Sequence, residues 1–424
     1  MHLKNIKKLR KEIEMSGADV VAEEKKAKVL LNEIVAKHYQ DAWDAKKRGE
    51  KVGWCASNFP QEIFETMDIK VVYPENQAAA IAAKGGGERL CTEAENYGYS
   101  NDICAYARIS LAYANVKDAP ELNMPQPDFV LCCNNICNCM IKWYENLAKE
   151  LNIPMILIDV PYNDEYNAEE DRVEYLKGQF DYAIKQLEEI TGKKFDQKKF
   201  KEVMDISQRT GRAWLKATGY SRFTPSPYNG FDLFNHMAVA VCARGKLESA
   251  LAFEKLADEY EQNVKEKKST FRGKEEYRVM FEGIACWPHL RHTFTQLKDA
   301  GVNVVGTVYA DAFGYIYSNT NELMKAYCGT PNAISYERSL DMRLKVIREN
   351  NCDGALIHIN RSCKQWSGIM YQMERDIREK TGIPTATFDG DQADPRNFSE
   401  AQYDTRVQGL IEVMAANKEA KKNA

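Results

Sequence analysis

Cysteine is the residue in this sequence with the most chemistry to offer. Four of the twelve, Cys132, Cys133, Cys137 and Cys139, fall within eight residues in "DFVLCCNNICNCMIKWYENL", Asp128 to Leu147. A thiol can be a small core hydrophobe, a redox partner or a soft metal ligand. No pair here has C-x-x-C spacing, and Cys133-x-x-x-Cys137-x-Cys139 misses the C-x-x-x-C-x-x-C spacing of radical-type clusters by one residue. Cys132 and Cys133 end an apolar run and read as core, and Cys139, on the helix side, reads as packing. Cys55, Cys91, Cys242, Cys286, Cys328 and Cys352 lie in apolar stretches or carry no motif. Three others sit in polar turns: Cys104 in "YSNDICAYAR", Cys137 in "CNNIC" and Cys363 in "HINRSCK". For these three, ligation and burial are both open. Thiolates suit zinc and iron–sulfur clusters, but structural zinc sites draw on closely spaced ligand pairs, which these are not.

The elements that must position these thiols alternate in type. Residues 1–50 are rich in Lys, Glu and Ala without Pro and read as one or two solvated helices. From Lys51, "KVGWCAS", "IKVVYPE", "DFVLCC" and "IPMILID" read as strands, separated by helical patterns such as "PQEIFETM" and "IKWYENLAKEL". Such alternation predicts a parallel sheet with helices on both faces. Residues 166–275 are long helical patterns with little strand, and alternation resumes from 276 to 424. The expected fold is α/β, with two similar doubly wound parallel-sheet lobes, 51–165 and 276–424, a helical N-terminus (1–50) and a helical connecting segment (166–275).

The similarity of the lobes rests on particular residues. In the first, "DFVLCC" leads to Asn134-Asn135-Ile136-Cys137, a helix, "NIP", a strand and Asp159. In the second, "GALIHI" leads to Asn360-Arg361-Ser362-Cys363, a helix, "GIP", a strand and Asp389. Cys137 to Ile153 is 16 positions and Cys363 to Ile383 is 20, a difference of one helical turn. A weaker echo links "GWCASNFPQEIF" to "GIACWPHLRHTF". In open parallel sheets, ligands bind outside the carboxyl ends of strands. Cys137 and Cys363 both occupy such turns, and Cys104 can join them in one cleft.

Bulk properties exclude some classes of partner. With a net charge of −4 and no dominant basic stripe, nucleic acid is not expected. No apolar run approaches a membrane span, and the N-terminus has no secretory h-region, so the chain is expected to be cytoplasmic. In that compartment twelve cysteines are not a disulfide framework.

At these residues the sequence resembles the alpha subunits of the 2-hydroxyacyl-CoA dehydratases, relatives of the benzoyl-CoA reductases. The likeness is carried by "GWCASNFPQE", "YPENQAA", "YSNDICAYAR", "LCCNNICN" with the "MIKWYE" that follows Cys139, "SPYNGFDLFNHMA", "HINRSCK" and "FDGDQADPRNFSEAQYDTR", from about Lys51 to the C-terminus. It implies that Cys104, Cys137 and Cys363 hold a 4Fe–4S cluster with one iron free of protein ligand, and that Cys132, Cys133 and Cys139 are not ligands. The implied reaction converts an (R)-2-hydroxyacyl-CoA to the (E)-2-enoyl-CoA through ketyl radicals, with one electron recycled. The implied partners are a beta subunit with its own cluster and a separate ATP-hydrolysing iron–sulfur activator. No G-x-x-x-x-G-K-[ST] pattern occurs here, in accord with ATP hydrolysis elsewhere. "KVGWCASNFPQEI" and "FNHMAVAVCARG" are most similar to the phenyllactyl-CoA (aryllactyl) branch, with lactoyl-CoA, 2-hydroxyisocaproyl-CoA and benzoyl-CoA reductase-type subunits as alternatives.

The resemblance also points to Ser57 and Glu75, each shortly after a strand. Ser57 is expected to donate to a cluster ligand or substrate hydroxyl, or to cap a helix before Pro60. Glu75 is expected to hold the hydroxyl or move a proton, or to be an ordinary loop carboxylate. Arg361 beside Cys363 reads as charge balance or as surface. "KGGGE", Lys84 to Glu88, reads as a flexible loop before a CoA-phosphate site. His289 and His292 read as packing or hydrogen-bonding groups, and "DGDQADPR" as a loop held by turns and an Asp–Arg pair. Trp143, Tyr144, Trp214 and Trp366 read as core or interface.

Overall fold

A computed structural model describes residues 25–119 and 122–423 of the chain. The first 24 residues, on which part of the N-terminal helical reading falls, lie outside the described residues. The first described helix is α1 (Ala27–Lys47). Its Leu31, Tyr39, Ala42 and Ala45 are buried, and it packs on the helices of the connecting segment. The expectation of a solvated helix is therefore corrected: charge dominates its composition, yet a small apolar stripe is enough to dock it.

The first sheet contains β1 (Val52–Cys55), β2 (Lys70–Val72), β3 (Phe129–Cys133) and β4 (Met155–Ile158). They are parallel and ordered β2-β1-β3-β4. Around them lie α2 (Gln61–Thr66), α3 (Pro74–Ala83), α4 (Gly87–Asn96), α5 (Ala105–Val116) and α6 (Asn138–Leu151). All five residues of β3 are buried, as a central strand covered on both faces requires. Fully burying a side chain such as Val130 or Leu131 contributes about 1.5–3 kcal/mol.

Four helices connect the lobes: α7 (Glu170–Thr191), α8 (Gln197–Thr218), α9 (Gly230–Cys242) and α10 (Leu247–Lys265). The Asp196 side chain caps α8 by accepting from the Lys199 amide, and Asn229 caps α9 through the Phe231 amide. The second sheet, β5 (Tyr277–Glu282), β6 (Val302–Gly306), β7 (Gly354–Asn360) and β8 (Thr385–Gly390), is again parallel and ordered β6-β5-β7-β8. Its helices are α11 (Leu290–Asp299), α12 (Val308–Asp311), α13 (Thr320–Tyr327), α14 (Tyr336–Glu349), α15 (Lys364–Thr381) and α16 (Glu400–Asn423).

The two strand orders are the same once the strands are counted within each lobe, so the duplication read from sequence is a property of the fold. Local geometry repeats too. Helix α6 ends at Asn152 with φ of 51°, followed by Ile153, Pro154 and β4, while α15 ends at Gly382 with φ of 71°, followed by Ile383, Pro384 and β8. A left-handed residue after the last turn stops each helix, and Pro prevents it from continuing. With 18 residues against 14, α15 is one turn longer than α6, which accounts for the four-residue offset in sequence. Among the described residues no helix is long and apolar enough to cross a membrane.

Candidate functional site

In each sheet the strand order reverses between the first strand and its third-in-sequence neighbour, β1 and β3 or β5 and β7. Loops leaving these strands splay apart at such a point and open a crevice. Ser57 follows β1, Cys137 follows β3 and Cys363 follows β7, so the topology delivers all three to the carboxyl edges of the sheets. Cys104 comes from the loop before α5.

The three thiols share one local structure. Cys104, Cys137 and Cys363 are the residues immediately before α5, α6 and α15. The first-turn amides of Ala107, Met140 and Trp366 face the three sulfurs and favour their ionised forms, although none closes a full capping hydrogen bond. Burial is the larger effect and pushes every one of these thiols up, Cys363 to about 11; Cys104 also feels Cys137 and Cys363, Cys137 feels Cys363, and all three feel Cys139. Three positive helix ends therefore converge on a place where no cationic side chain balances thiolates.

Tethers between the lobes fix this geometry. Ser362 Oγ accepts from the Ala105 amide (3.0 Å), tying the loop of Cys363 to the start of α5. Thr330 Oγ1 donates to the Asn135 carbonyl (2.9 Å), and Asn332 Nδ2 donates to the Ile136 carbonyl (3.0 Å), so second-lobe residues hold the turn before Cys137. Gln392 Nε2 lies 3.3 Å from Cys104 Sγ. Behind them, fully buried Arg108 pairs with Asp394 (2.8 Å) and Glu95 (2.8 Å).

Glu75 and Ser57 meet in the same crevice. The Ser57 amide donates to Glu75 Oε1 (2.9 Å), and the Tyr144 hydroxyl donates to Oε2 (3.0 Å). Burial pushes the Glu75 carboxyl up; these donors pull it back only in part, leaving it above the ordinary carboxylate value. Ser57 does not cap a helix, because α2 starts after Pro60 without a side-chain cap, so its backbone serves Glu75 instead.

A cavity of about 110 Å³ joins the groups. Its walls include the three thiols, Ser57, Glu75, Tyr106, Tyr309, Trp143 and Trp366. Five buried polar atoms on these walls have no hydrogen-bond partner: Asn58 Oδ1, Asn135 Oδ1, Trp143 Nε1, Trp366 Nε1 and Gln392 Oε1. Buried polar groups are nearly always satisfied, so five orphans around one space point to a polar occupant. Among the described residues no three His, Cys, Asp or Glu side chains converge closely enough to chelate a single metal ion. Thiols set around a shared cavity instead suit a polynuclear iron–sulfur group, in which each thiolate takes a different iron.

The remaining candidates fall elsewhere. Cys132 and Cys133 are fully buried at the end of β3, as core residues should be. Cys139 lines the cavity as well, half-buried beside the Cys104 backbone, although its spacing marked it as packing. Arg361 is exposed, with its guanidinium 3.9 Å from Asp389. "KGGGE" forms the tight turn between α3 and α4, and Gly87 packs on the second lobe so closely that a Cβ would lie 2.1 Å from the Ala393 carbonyl oxygen. His292 meets Asp404 at 2.8 Å and His289 stacks on Phe398. "DGDQADPR" is held by turns through Asp391 and by an Arg396–Asp394 pair at 2.7 Å. Trp214 is core, whereas Trp143 and Trp366 pack and also line the cavity. Tyr309 is a site group that no motif marked; Tyr144 and Gln392 lie within stretches singled out in the sequence, but nothing local showed that they would face the site.

Comparison with known proteins places the chain in a family. A family model described as 2-hydroxyglutaryl-CoA dehydratase, D-component, matches residues 56–414. The (R)-phenyllactyl-CoA dehydratase alpha subunit of Clostridium sporogenes is 62% identical, over 96% of this chain and 100% of the relative. The (R)-2-hydroxyisocaproyl-CoA dehydratase alpha subunit of Clostridioides difficile is 50% identical, over 94% and 98%. The (R)-2-hydroxyglutaryl-CoA dehydratase alpha subunit of Acidaminococcus fermentans is 49% identical, over 92% and 97%. A family match across most of the chain and relatives matched almost end to end lead to one conclusion: the chain belongs to the 2-hydroxyglutaryl-CoA dehydratase D-component family.

Proposed function

We propose that the chain is the alpha subunit of an iron–sulfur lyase that dehydrates an (R)-2-hydroxyacyl-CoA to the (E)-2-enoyl-CoA, with phenyllactyl-CoA or a similar aryl substrate preferred. The observation that carries this reading is the convergence of three helix-terminal thiols with a buried, raised-pKa carboxyl in one cavity. Family membership and the names of the relatives support it. The aromatic walls, Trp143, Trp366, Tyr309 and Phe313, favour a flat acyl side chain.

Cys104, Cys137 and Cys363 would hold a 4Fe–4S cluster. Such a group supplies reversible one-electron transfer and, with three protein ligands, one open iron. The chain's own residues do the rest. Helix ends α5, α6 and α15 stabilise negative charge on the thiolates. The Ser57 amide and the Tyr144 hydroxyl fix the Glu75 carboxyl in one orientation, where it holds the substrate hydroxyl and moves a proton. The aromatic walls and the lobe-to-lobe tethers exclude water and keep the geometry rigid. A beta subunit carrying a second cluster and an ATP-dependent iron–sulfur activator complete the proposed system, in keeping with relatives named as alpha subunits.

The reaction removes water without net oxidation or reduction. Anaerobic turnover of phenyllactyl-CoA by the two-subunit enzyme with a trace of reduced activator should therefore yield many molecules of enoyl-CoA per electron added. One product per one or two electrons, as a reductase of the benzoyl-CoA type requires, would overturn the assignment.

A further inference from the structure

One loop of the second lobe grips two of the three thiol turns. The chain leaving β8 runs through Asp391, Gln392, Ala393 and Asp394, all buried. Asp391 Oδ1 accepts from the amides of Ala393 (3.0 Å) and Asp394 (3.2 Å), which closes the loop on itself. Asp391 Oδ2 accepts from the Ser362 amide (3.2 Å), in the turn before Cys363, and from Asn397 Nδ2 (3.3 Å).

Gln392 is held from both sides of its backbone. Its amide donates to Asn360 Oδ1 (3.2 Å) at the end of β7, and its carbonyl accepts from the Trp287 amide (3.3 Å). The side chain, with no exposed surface, crosses to the first lobe, where Nε2 donates to Cys104 Sγ at 3.3 Å. This is the one side-chain hydrogen bond found on Cys104, Cys137 or Cys363 among the described residues. Gln392 Oε1 is buried without a partner. That pattern suits a metal-bound thiolate: a sulfur without a proton can only receive N–H, so the amide oxygen is the atom left over.

A donor at this place has an electrical consequence. The cavity lining contains no lysine or arginine, so negative charge on the sulfurs is met only by dipoles. Helix ends supply such dipoles to all three thiols, whereas Cys104 alone receives a side-chain amide as well. Hydrogen bonds to the sulfurs are among the factors that set the reduction potential of an iron–sulfur group. An added electron increases the charge on the sulfurs and strengthens the N–H···S bond, so the donor favours the reduced state.

We propose that Gln392 is a positioning residue that raises the reduction potential of the cluster through its hydrogen bond to Cys104, the loop from Asp391 to Asp394 holding it at that distance. This rests on the reading of Cys104, Cys137 and Cys363 as cluster ligands.

The test is a redox titration of the full chain, purified anaerobically with its cluster, followed by the EPR signal of the reduced state. Gln392→Met is unbranched, of similar length and without an N–H. It should keep the iron and sulfide of wild type, because all three thiols remain. At the wild-type midpoint its ratio of reduced to oxidised cluster should fall about tenfold, a shift of about 59 mV for one electron. Gln392→Leu, which also lacks the donor but not by the same shape, should shift in the same direction. Unmoved midpoints in both loaded variants overturn the inference alone. Loss of iron from both overturns it too, and makes Gln392 a structural prop. A wild-type chain that binds no cluster overturns the ligand reading and this inference with it.

Discussion

Tyr144→Phe removes one oxygen from the interior and nothing else. Tyr144 is fully buried on α6, so a Phe ring fills the same space, and the loss is its hydroxyl donation to Glu75 Oε2 at 3.0 Å. A hydrogen bond to a charged group contributes about 1.5–3 kcal/mol, which equals about one to two pKa units at about 1.4 kcal/mol per unit. The Ser57 amide stays at 2.9 Å and continues to stabilise the carboxylate, so the lower figure applies. Burial already holds Glu75 above its ordinary value, and the substitution raises it further. With the carboxylate as the working form, activity rises with pH through this pKa, and the acid limb of kcat/KM should move up by about one unit. Folding runs the other way. Because the folded-state pKa is raised, the stability linked to protonated Glu75 is present below the unfolded value, about 4.3, and is lost as pH rises through the folded one. The assay is an anaerobic pH profile of dehydration for wild type, Y144F and E75Q. An acid limb unmoved in Y144F, or still present in E75Q, would refute the reasoning.

Other outcomes follow from the tethers between the lobes. Arg108→Met leaves Glu95 and Asp394 with only Arg396, and losing one partner of a buried pair costs about 3–5 kcal/mol, so the denaturant midpoint should fall clearly. Burial pushes Asp394 up, but the Arg396 and Arg108 guanidiniums outweigh it and hold the carboxyl below its usual value. Its stabilisation is therefore present above the unfolded pKa and lost as pH falls through the depressed one, and R108M should begin acid unfolding at a higher pH than wild type. Gly87→Ala places a Cβ 2.1 Å from the Ala393 carbonyl oxygen, backbone that must shift, and should lower stability by about 1–3 kcal/mol in chemical denaturation.

Much of the architecture was legible because the chain says it twice. Strand, Asn-rich turn, cysteine, helix, Ile-Pro and strand recur at matching offsets, and the two sheets share one strand order. Cys104, Cys137 and Cys363 were selected by motif resemblance, and the fold brings them to a common cavity. What stayed hidden was whatever depends on contacts far apart in sequence. Tyr144 occupies the apolar stripe of an amphipathic helix, and its bond to a carboxylate 69 positions earlier leaves no local trace. Cys139 looks like packing from spacing alone, yet the first turn of α6 sets it against the Cys104 backbone. The opposite error arose at α1, where dense charge concealed a docking stripe of Leu31, Tyr39, Ala42 and Ala45.

The central claim is that Cys104, Cys137 and Cys363, not the four cysteines crowded around the end of β3, hold an iron–sulfur cluster. Iron and acid-labile sulfide, measured on the anaerobically purified chain, test it most directly. Single Cys104→Ser, Cys137→Ser and Cys363→Ser variants should each lose most of the iron bound by wild type, while Cys132→Ser and Cys139→Ser should retain it. Full iron content in all three of the first group, or loss in Cys139→Ser equal to theirs, would contradict the account.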